Sequence, residues 1–589
     1  MSTDGRPSGH RSEKYIHIQQ IYTMNDIITE RYEAWLANAA ADPDLIPELA
    51  AMDDAAKEDA FYRELDFGTG GLRGVIGAGT NRMNVYTVAR ASAGLADYVQ
   101  TRREEAGKDP YAASIAISYD SRIKSDLFSR TAAAVFASKG IDVWLYPRLM
   151  PTPLLSYAVR ALSCDAGVMI TASHNPSKYN GYKVYGPDGC QITEKAAGQI
   201  LECIRRIDTL RSWMAVSYNE SGRPQGSIEY IPEQVCDAFM AEIRSQSVIP
   251  AGADIDRSVK IVYSPLNGTG LEPVTRALNE AGFTNITVVE EQREPDGNFP
   301  TCPYPNPEIC EAMELGLQYC SKTGADLLLA TDPDCDRIGV MCKDGNGYVR
   351  LNPNEVGILM LDFICRKMKR DGGGDISYTP VFMKTVVTTS MAEKVAERYG
   401  LKIKNTLTGF KYIGEQIEGL KANEEFIFGM EESCGYLSNP QIRDKDGVNA
   451  ALLISFVAQE CKDRGITLYK RMQELYREYG YYINVQKSYK FDGANGLSQM
   501  QSSINRIHKS MPERDGVMYV EEIDYSKGYR GLPLTNMVEY KLSDGGRFLI
   551  RPSGTEPKLK VYVEVEDRDL RGATEKYNNI CKYISLILT

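Results

Sequence analysis

Along the first two-thirds of the chain, short apolar runs alternate with longer stretches of mixed polarity. The runs SIAISYD (114–120), DVWLYP (142–147), AGVMITAS (166–173), VKIVYSP (259–265), ITVVEE (286–291) and ADLLLATD (325–332) predict strands. They are almost continuously apolar, as strands covered on both faces are. Between them, segments such as SRTAAAVFASKG and PVTRALNEAG predict helices, and the alternation predicts α/β layers. EEFIFGMEES reads as another strand running into a loop, and ALLISFVAQECKDR as a buried helix. From about Tyr482 the texture changes. VEYKL-SDGG-RFLIRPS predicts a hairpin with a Gly-rich turn, and KLKVYVEVE alternates with period two, as a half-covered strand does. A last helix, ATEKYNNICKYISLIL, is placed to cover that sheet.

The first convincing helix, MNDIITERYEAWLANA, begins near Met24 with Asn25 or Asp26 available as its cap. A chain of 589 residues exceeds one hydrophobic core, because single cores stop growing at roughly 250–300 residues. The expected division is a disordered leader (1–23), two α/β domains (24–222 and 223–345), a third (346–480) and a smaller α+β domain (481–589). The junctions rest on polar, turn-rich stretches: NESGRPQGS (219–227), KDGNGYV (343–349) and the region 478–482.

Composition narrows the function. The net charge of −11 argues against a sequence-independent nucleic-acid binder but leaves a locally basic cleft open. The 13 cysteines contain no C-x-x-C pair, so neither a disulfide framework nor a zinc site is expected. Reduced thiols suit a cytoplasmic protein. No apolar run reaches the roughly 18 residues of a membrane span, and MSTDGRPSGHRSEKY lacks the apolar core of a secretory signal. With four histidines, multi-histidine metal sites are excluded, and no G-x-S-x-G surrounds Ser173.

Three segments carry chemistry. In ITASHNPSKYNGYKVYGPDG, a buried strand ends at Ser173, where open sheets place ligands, and Pro176 breaks the regular structure. A short strand at Tyr182–Val184 follows, with Lys183 facing away from its neighbours and GPDG (186–189) as a turn. The same letters also fit a polar turn with a capping serine. In LLLATDPDCDRIGV, Asp332, Asp334 and Asp336 alternate, so an extended loop projects three carboxylates to one side. Such a triplet wants a hard cation, Mg²⁺ or Mn²⁺. An EF-hand is excluded, because its glycine and glutamate positions hold Arg337 and Lys343. In GRFLIRPSGTEPKLKVYV, Arg551, Ser553, Gly554, Thr555 and Lys558 occupy a turn between strands, with the donors of a phosphate cradle. Weaker signals are Glu431 and Ser433 in IFGMEESCGY, a pattern suited to sugar hydroxyls, and the Gly-rich FGTGGLRG (67–74) ending at Arg73, which matches no Rossmann fingerprint. No P-loop is present.

Taken in order, TASHNP (171–176), DPDCDR (332–337), GMEES (429–433) and RPSGTEPK (551–558), with FGTGGLRG in front, resemble the α-D-phosphohexomutase superfamily, in its phosphoglucomutase-like branch. The resemblance implies four domains around a central cleft: three similar α/β domains with mixed sheets and a smaller C-terminal α+β domain. It implies that Ser173 carries the phosphoryl group and that Asp332, Asp334 and Asp336 hold one Mg²⁺ with it. Lys183 matches the general acid/base position, and Arg73 and His174 match residues flanking the phosphoserine. Glu431 and Ser433 match the sugar loop; Arg551, Ser553, Gly554 and Thr555 match the loop for the non-transferring phosphate, beside Lys558. Arg337 is expected to share the neutralisation of phosphate charge. The segment Thr408-Gly409-Phe410-Lys411 is expected to help choose the sugar, with Lys411 on phosphate.

The expected activity is interconversion of glucose 1-phosphate and glucose 6-phosphate through a bisphosphorylated intermediate, with a sugar bisphosphate as activator. Phosphomannomutase, phosphopentomutase and a non-catalytic sugar-phosphate-binding protein are the alternatives. The expected partners are small sugar phosphates, neither nucleic acid nor membrane, in a monomer or dimer. Cys335 and Cys434 lie in catalytic loops, so thiol alkylation is expected to inhibit.

Overall fold

The apolar runs of the sequence become strands of four sheets, in a computed structural model that describes residues 24–210, 225–245, 249, 256–371, 377–491, 496–509, 519–552 and 558–588. The first sheet holds β1 (Phe67–Gly68), β2 (Gly71–Val75), β3 (Ser114–Tyr119), β4 (Asp142–Leu145), β5 (Ala166–Ile170), β6 (Tyr179–Tyr185) and β7 (Ile228–Tyr230). Their order is β1-β2-β6-β5-β3-β4-β7. Strands β5, β3, β4 and β7 are parallel, and β6, β2 and β1 add antiparallel. The second sheet, β12-β11-β10-β8-β9, holds β8 (Ile261–Ser264), β9 (Ile286–Val288), β10 (Leu327–Thr331), β11 (Ile338–Asp344) and β12 (Gly347–Leu351). The third, β14-β13-β15-β16, holds β13 (Thr379–Thr385), β14 (Lys402–Thr406), β15 (Glu424–Glu431) and β16 (Gly435–Leu437). The mixed α/β reading of these three regions therefore holds.

The fourth sheet is antiparallel, β17-β21-β20-β19-β18, from β17 (Tyr481–Lys490), β18 (Tyr519–Asp524), β19 (Val538–Leu542), β20 (Arg547–Pro552) and β21 (Lys558–Asp567). The last helix, Leu570–Leu588, packs Ala573, Ile580 and Ile584 on Val561, Val563 and Val565, as the period-two pattern requires. The central parallel strands β5, β8 and β10 are buried along their whole length, which is why they read as unbroken apolar runs.

Several expectations shift. The strand β7 follows residue 222 yet pairs with β4, so the first sheet draws on chain beyond that junction. The turn at 345–346 lies inside the β11–β12 hairpin, so the second sheet continues to Leu351. In the second place a polar turn connects two strands of one sheet rather than two domains. The segment FGTGGLRG forms the β1–β2 hairpin; at Gly71 a Cβ would lie 1.8 Å from the Tyr182 carbonyl oxygen, and φ is +137°, so only glycine fits. Asn25 and Asp26 sit inside the first turn of the helix Met24–Asn38 rather than before it. The leader 1–23 lies outside the described residues, as do Ser553, Gly554 and Thr555.

Two seams fix the domains around one cleft. A shared apolar core runs from the helix Thr152–Ala161 through the second sheet into the third. The fourth sheet docks on the third through Leu549, Tyr562 and Tyr525 against Val386, Val387 and Tyr412. Glu564 seals that seam, accepting from Ser390 Oγ at 2.7 Å and Arg547 Nε at 2.9 Å.

Candidate active site

In each of the first three sheets, a buried parallel strand is followed by an antiparallel one: β5 by β6, β10 by β11, β15 by β16. The reversing loop sits at the carboxyl end of the parallel strands, where open sheets place ligands. Each of these loops carries a non-glycine residue in the left-handed region: Ser173 (φ 52°), Cys335 (φ 51°) and Cys434 (φ 59°). Such residues cost about 1–2 kcal/mol each, so the surroundings hold these turns in place.

Ser173 is 2% exposed. Its backbone N–H donates to Thr171 Oγ1 at 2.8 Å, and its hydroxyl donates to Asp332 Oδ2 at 2.6 Å. That second bond joins the first sheet to the acidic loop of the second. His174 Nδ1 lies 3.1 Å from Ser173 Oγ. Burial, then Arg337 and Arg73, hold this imidazole well below the usual histidine range, so it is neutral at physiological pH.

The three aspartates are fully buried, with one ligand oxygen of each within 4.8 Å of the others. Asp332 Oδ1 accepts from the backbone N–H groups of Asp336 (3.2 Å) and Arg337 (3.0 Å). Asp334 Oδ2 accepts from Thr152 Oγ1 (2.9 Å) and Lys183 Nζ (2.8 Å). Asp336 Oδ2 faces Lys445 Nζ at 2.9 Å and Lys183 Nζ at 3.4 Å. Burial, then the charges of Asp336 and Asp334, push the Asp332 carboxyl well above the usual range. Burial acts the same way on Asp334, but Lys183 outweighs it and holds that group low. Asp334 Oδ1 and Asp336 Oδ1 are buried and accept no hydrogen bond. Unsatisfied carboxylate oxygens in a dry site are expensive unless a hard cation joins them, so the donor set fits a divalent ion bound through oxygen.

Lys183 and Arg73 project from one face of the paired β2 and β6, where Gly71 opposes Lys183 and Arg73 opposes Gly181. Burial lowers the Lys183 pKa, but Asp334 and Asp336 override it, and the ammonium is held charged. Arg73 faces the cleft, where desolvation and then Arg337 lower its pKa. Thr408, Gly409 and Lys411 join Arg73 and Lys183 around a cleft of about 320 Å³. Lys411 Nζ donates to Glu194 Oε1 (3.0 Å) and to the Thr69 carbonyl (3.2 Å).

Glu431 is 4% exposed, accepts from Ser433 Oγ at 3.0 Å, and is pushed up to about 7 by burial. Arg337 Nη1 pairs with Glu308 Oε1 at 2.6 Å and Nε lies 3.7 Å from Asp336 Oδ1, so it borders the triplet. On the fourth sheet, Arg551 pairs in register with Lys560, two residues beyond Lys558, so three cations share one face. Desolvation and then Arg551 lower the Lys560 pKa, with Glu432 opposing.

Cys335 and Cys434 are 0% and 3% exposed, and burial pushes both thiols up. Buried, protonated thiols are poor nucleophiles, so alkylation of these loops is not expected in the folded protein. Arg122, Thr152, Lys445 and Lys560 escape a reading of the sequence. Each earns its place through packing between segments far apart in the chain. Only Lys560 has a local signal, at two residues from Lys558 on an alternating strand.

Four family models match in order: "Phosphoglucomutase/phosphomannomutase, alpha/beta/alpha domain" I over 64–211, II over 237–345 and III over 352–479, and the C-terminal domain over 508–575. The phosphoglucomutase of Staphylococcus saprophyticus is 32% identical over 571 residues, covering 94% of this chain and 99% of its own. That of Staphylococcus haemolyticus is 33% identical, covering 86% and 92%. Among solved structures, the open form of the phosphoprotein pp63/parafusin of Paramecium superposes with a TM-score of 0.66 at 17% identity, covering 89% and 96%. A putative phosphomannomutase of Thermus thermophilus gives 0.64 at 22%, covering 88% and 99%. These two share the fold. Among the described residues, no helix is long and apolar enough to cross a membrane.

Proposed function

This chain belongs to the phosphoglucomutase/phosphomannomutase family and is a phosphosugar mutase, and from that premise we propose that it interconverts glucose 1-phosphate and glucose 6-phosphate through a phosphoryl group on Ser173. The choice of glucose is supported by the staphylococcal relatives, which carry the name phosphoglucomutase. The observation that carries the choice of serine is its hydroxyl, 2.6 Å from Asp332 Oδ2 in the acidic triplet.

In the proposed cycle, phosphoserine 173 passes its phosphoryl group to the free hydroxyl of a sugar monophosphate. The bisphosphorylated sugar reorients, and Ser173 takes back the other phosphate. Such transfers need positioning and charge neutralisation more than covalent help. Asp332, Asp334 and Asp336 would hold Mg²⁺, one per chain, and the ion supplies electrostatic stabilisation of the transferring group. Lys183 relays the proton: the sugar hydroxyl loses one and Ser173 Oγ gains one, so the lysine ends unchanged. His174 stays neutral, with Nδ1 3.1 Å from Oγ. Arg73 and Arg337 add positive charge along the path. Glu431 and Ser433 bind sugar hydroxyls, and Thr408, Gly409 and Lys411 shape the sugar wall. Arg551 and Lys558, with Ser553, Gly554 and Thr555, anchor the phosphate that does not move.

The same proposal includes a sugar bisphosphate as activator, sugar phosphates as the partners, a cytoplasmic setting, and a monomer or dimer binding neither nucleic acid nor membrane. It places domain junctions near residues 230, 351 and 480, at the ends of the sheets and of the helix Leu468–Tyr479. A coupled assay of the purified protein with Mg²⁺ and a sugar bisphosphate, against glucose, mannose, glucosamine and ribose 1-phosphates, tests the substrate. The highest kcat/KM on glucose 1-phosphate is expected; a higher value on any other sugar overturns that choice.

A further inference from the structure

Arg122 follows the strand β3 by three residues and its side chain is fully buried. A guanidinium in that position needs acceptors for five N–H groups. Nη1 donates to the carbonyls of Pro176 and Tyr179, both at 3.0 Å. Nη2 donates to the carbonyls of Ser173 and Asn175. Nε lies 3.4 Å from Asp120 Oδ2, which compensates the charge. One side chain thus gathers four carbonyls from the loop that carries Ser173.

The clamp is locked from both sides. Asp120 accepts from the Arg122 backbone N–H (3.0 Å), Ser125 Oγ (2.9 Å) and Thr171 Oγ1 (2.6 Å). Thr171 in turn accepts from the Ser173 N–H, so Asp120 supports the serine from two directions. On the other side, the ring of Phe299 lies 5.1 Å from the guanidinium carbon. Phe299 is 1% exposed and stands at φ 49°. Its loop comes from the second α/β region and fits closely: a Cβ on Gly297 would lie 2.5 Å from the Ile123 backbone nitrogen and 2.7 Å from the Ser121 carbonyl oxygen.

We infer that Arg122 is a positioning residue for phosphoryl transfer: its four-carbonyl clamp, capped by Phe299, holds Ser173 in the left-handed conformation that aims Oγ at Asp332. The inference rests on the proposed role of Ser173. Arg122 touches no reacting atom; it acts through the loop backbone. Lysine keeps the charge but has no planar fork, so it cannot serve four divergent carbonyls. Because Phe299 belongs to the acidic-triplet side of the cleft, the clamp also couples the serine loop to the packing of the first two domains.

The experiment compares wild type, Arg122→Lys, Phe299→Leu and Ser173→Ala for kcat, KM, melting temperature, and the rate at which a sugar bisphosphate phosphorylates Ser173, read by peptide mass. For Arg122→Lys, kcat and the phosphorylation rate fall about 100-fold while KM stays within about threefold, as a misaimed nucleophile requires. Phe299→Leu lowers kcat about three- to tenfold, the size of one lost cation–π contact, with KM unchanged. Wild-type kcat in folded Arg122→Lys overturns the inference, as does a loss expressed in KM alone. If Arg122→Lys does not fold, Phe299→Leu decides: unchanged kcat and phosphorylation rate there overturn it. Retained mutase activity in Ser173→Ala instead overturns the phosphoserine reading, and the two failures are thereby distinguished.

Discussion

Gly268 to alanine perturbs the acidic loop without touching a carboxylate. Gly268 packs against Pro333, between Asp332 and Asp334, and an added Cβ would lie 2.4 Å from Pro333 Cα, 2.6 Å from its carbonyl oxygen and 2.9 Å from its carbonyl carbon. All three are backbone atoms, so no flexible side chain can yield. Ordinary contact begins near 3.4 Å, so the loop must retreat by about 1 Å. The loop is also held from outside: Thr269 N–H donates to the Pro333 carbonyl at 2.8 Å and Thr152 N–H to the Asp334 carbonyl at 3.0 Å. Overpacking of this kind costs about 1–3 kcal/mol. At about 2–4 °C per kcal/mol for a large domain, the melting temperature falls by about 2–12 °C. A shift of about 1 Å in a catalytic constellation costs on the order of 100-fold in rate. The assay is mutase activity titrated with Mg²⁺, with calorimetry on the same samples. The expected result is a raised half-saturating Mg²⁺ concentration and a lower kcat. Wild-type Mg²⁺ dependence and kcat in a folded Gly268→Ala protein refute the reasoning that this contact fixes the triplet.

Thr152→Val removes the hydrogen bond to Asp334 Oδ2 while keeping the side-chain shape; a loss of about 1.5–3 kcal/mol, read by denaturant unfolding, is expected for a bond to a charged group, and an unchanged midpoint contradicts it. Glu431, pushed up to about 7 by burial, holds its proton in the fold after the unfolded chain has released it near 4.5. The native state then binds more protons, so stability falls as pH rises between those values and levels off above about 7. Glu431→Gln should flatten part of that slope in melting temperatures taken from pH 5 to 8, leaving the share of Asp446, which burial also pushes up to about 7. Under native conditions, iodoacetamide should label exposed Cys310 first and leave Cys335 and Cys434 unmodified until the protein is denatured; peptide mass mapping reads this directly.

Much of the fold was legible because buried parallel strands announce themselves: AGVMI and LLLAT are unbroken apolar runs, and both became strands ending at chemistry-bearing loops. The acidic triplet was legible for the same reason, since local spacing alone aims its side chains together. Junctions were less so. KDGNGYV looks like a linker, yet Asp344 and Gly347 pair across a tight hairpin, because a polar turn carries the same letters in either role. The short strand Ile228–Tyr230 was missed, since a three-residue exposed edge strand has no periodicity to show. Non-local partners were invisible altogether. Nothing near Arg122 in the sequence announces that it will gather carbonyls more than fifty residues away, and nothing near Lys445 announces its approach to Asp336 at 2.9 Å. Lys183, at the general acid/base position, is held charged, because two of the predicted cation ligands are also its ion-pair partners.

The most direct measurement follows the phosphoryl group itself. Protein isolated with its phosphoryl group in place, in excess, is mixed with glucose 1-phosphate in a single turnover, and the Ser173 peptide and the sugars are weighed by mass spectrometry at intervals. The account predicts that the group leaves Ser173 and appears on a bisphosphorylated sugar, and that the sugar's other phosphate then moves to Ser173, both at the rate of the mutase reaction. Turnover at full rate with Ser173 never phosphorylated would contradict it.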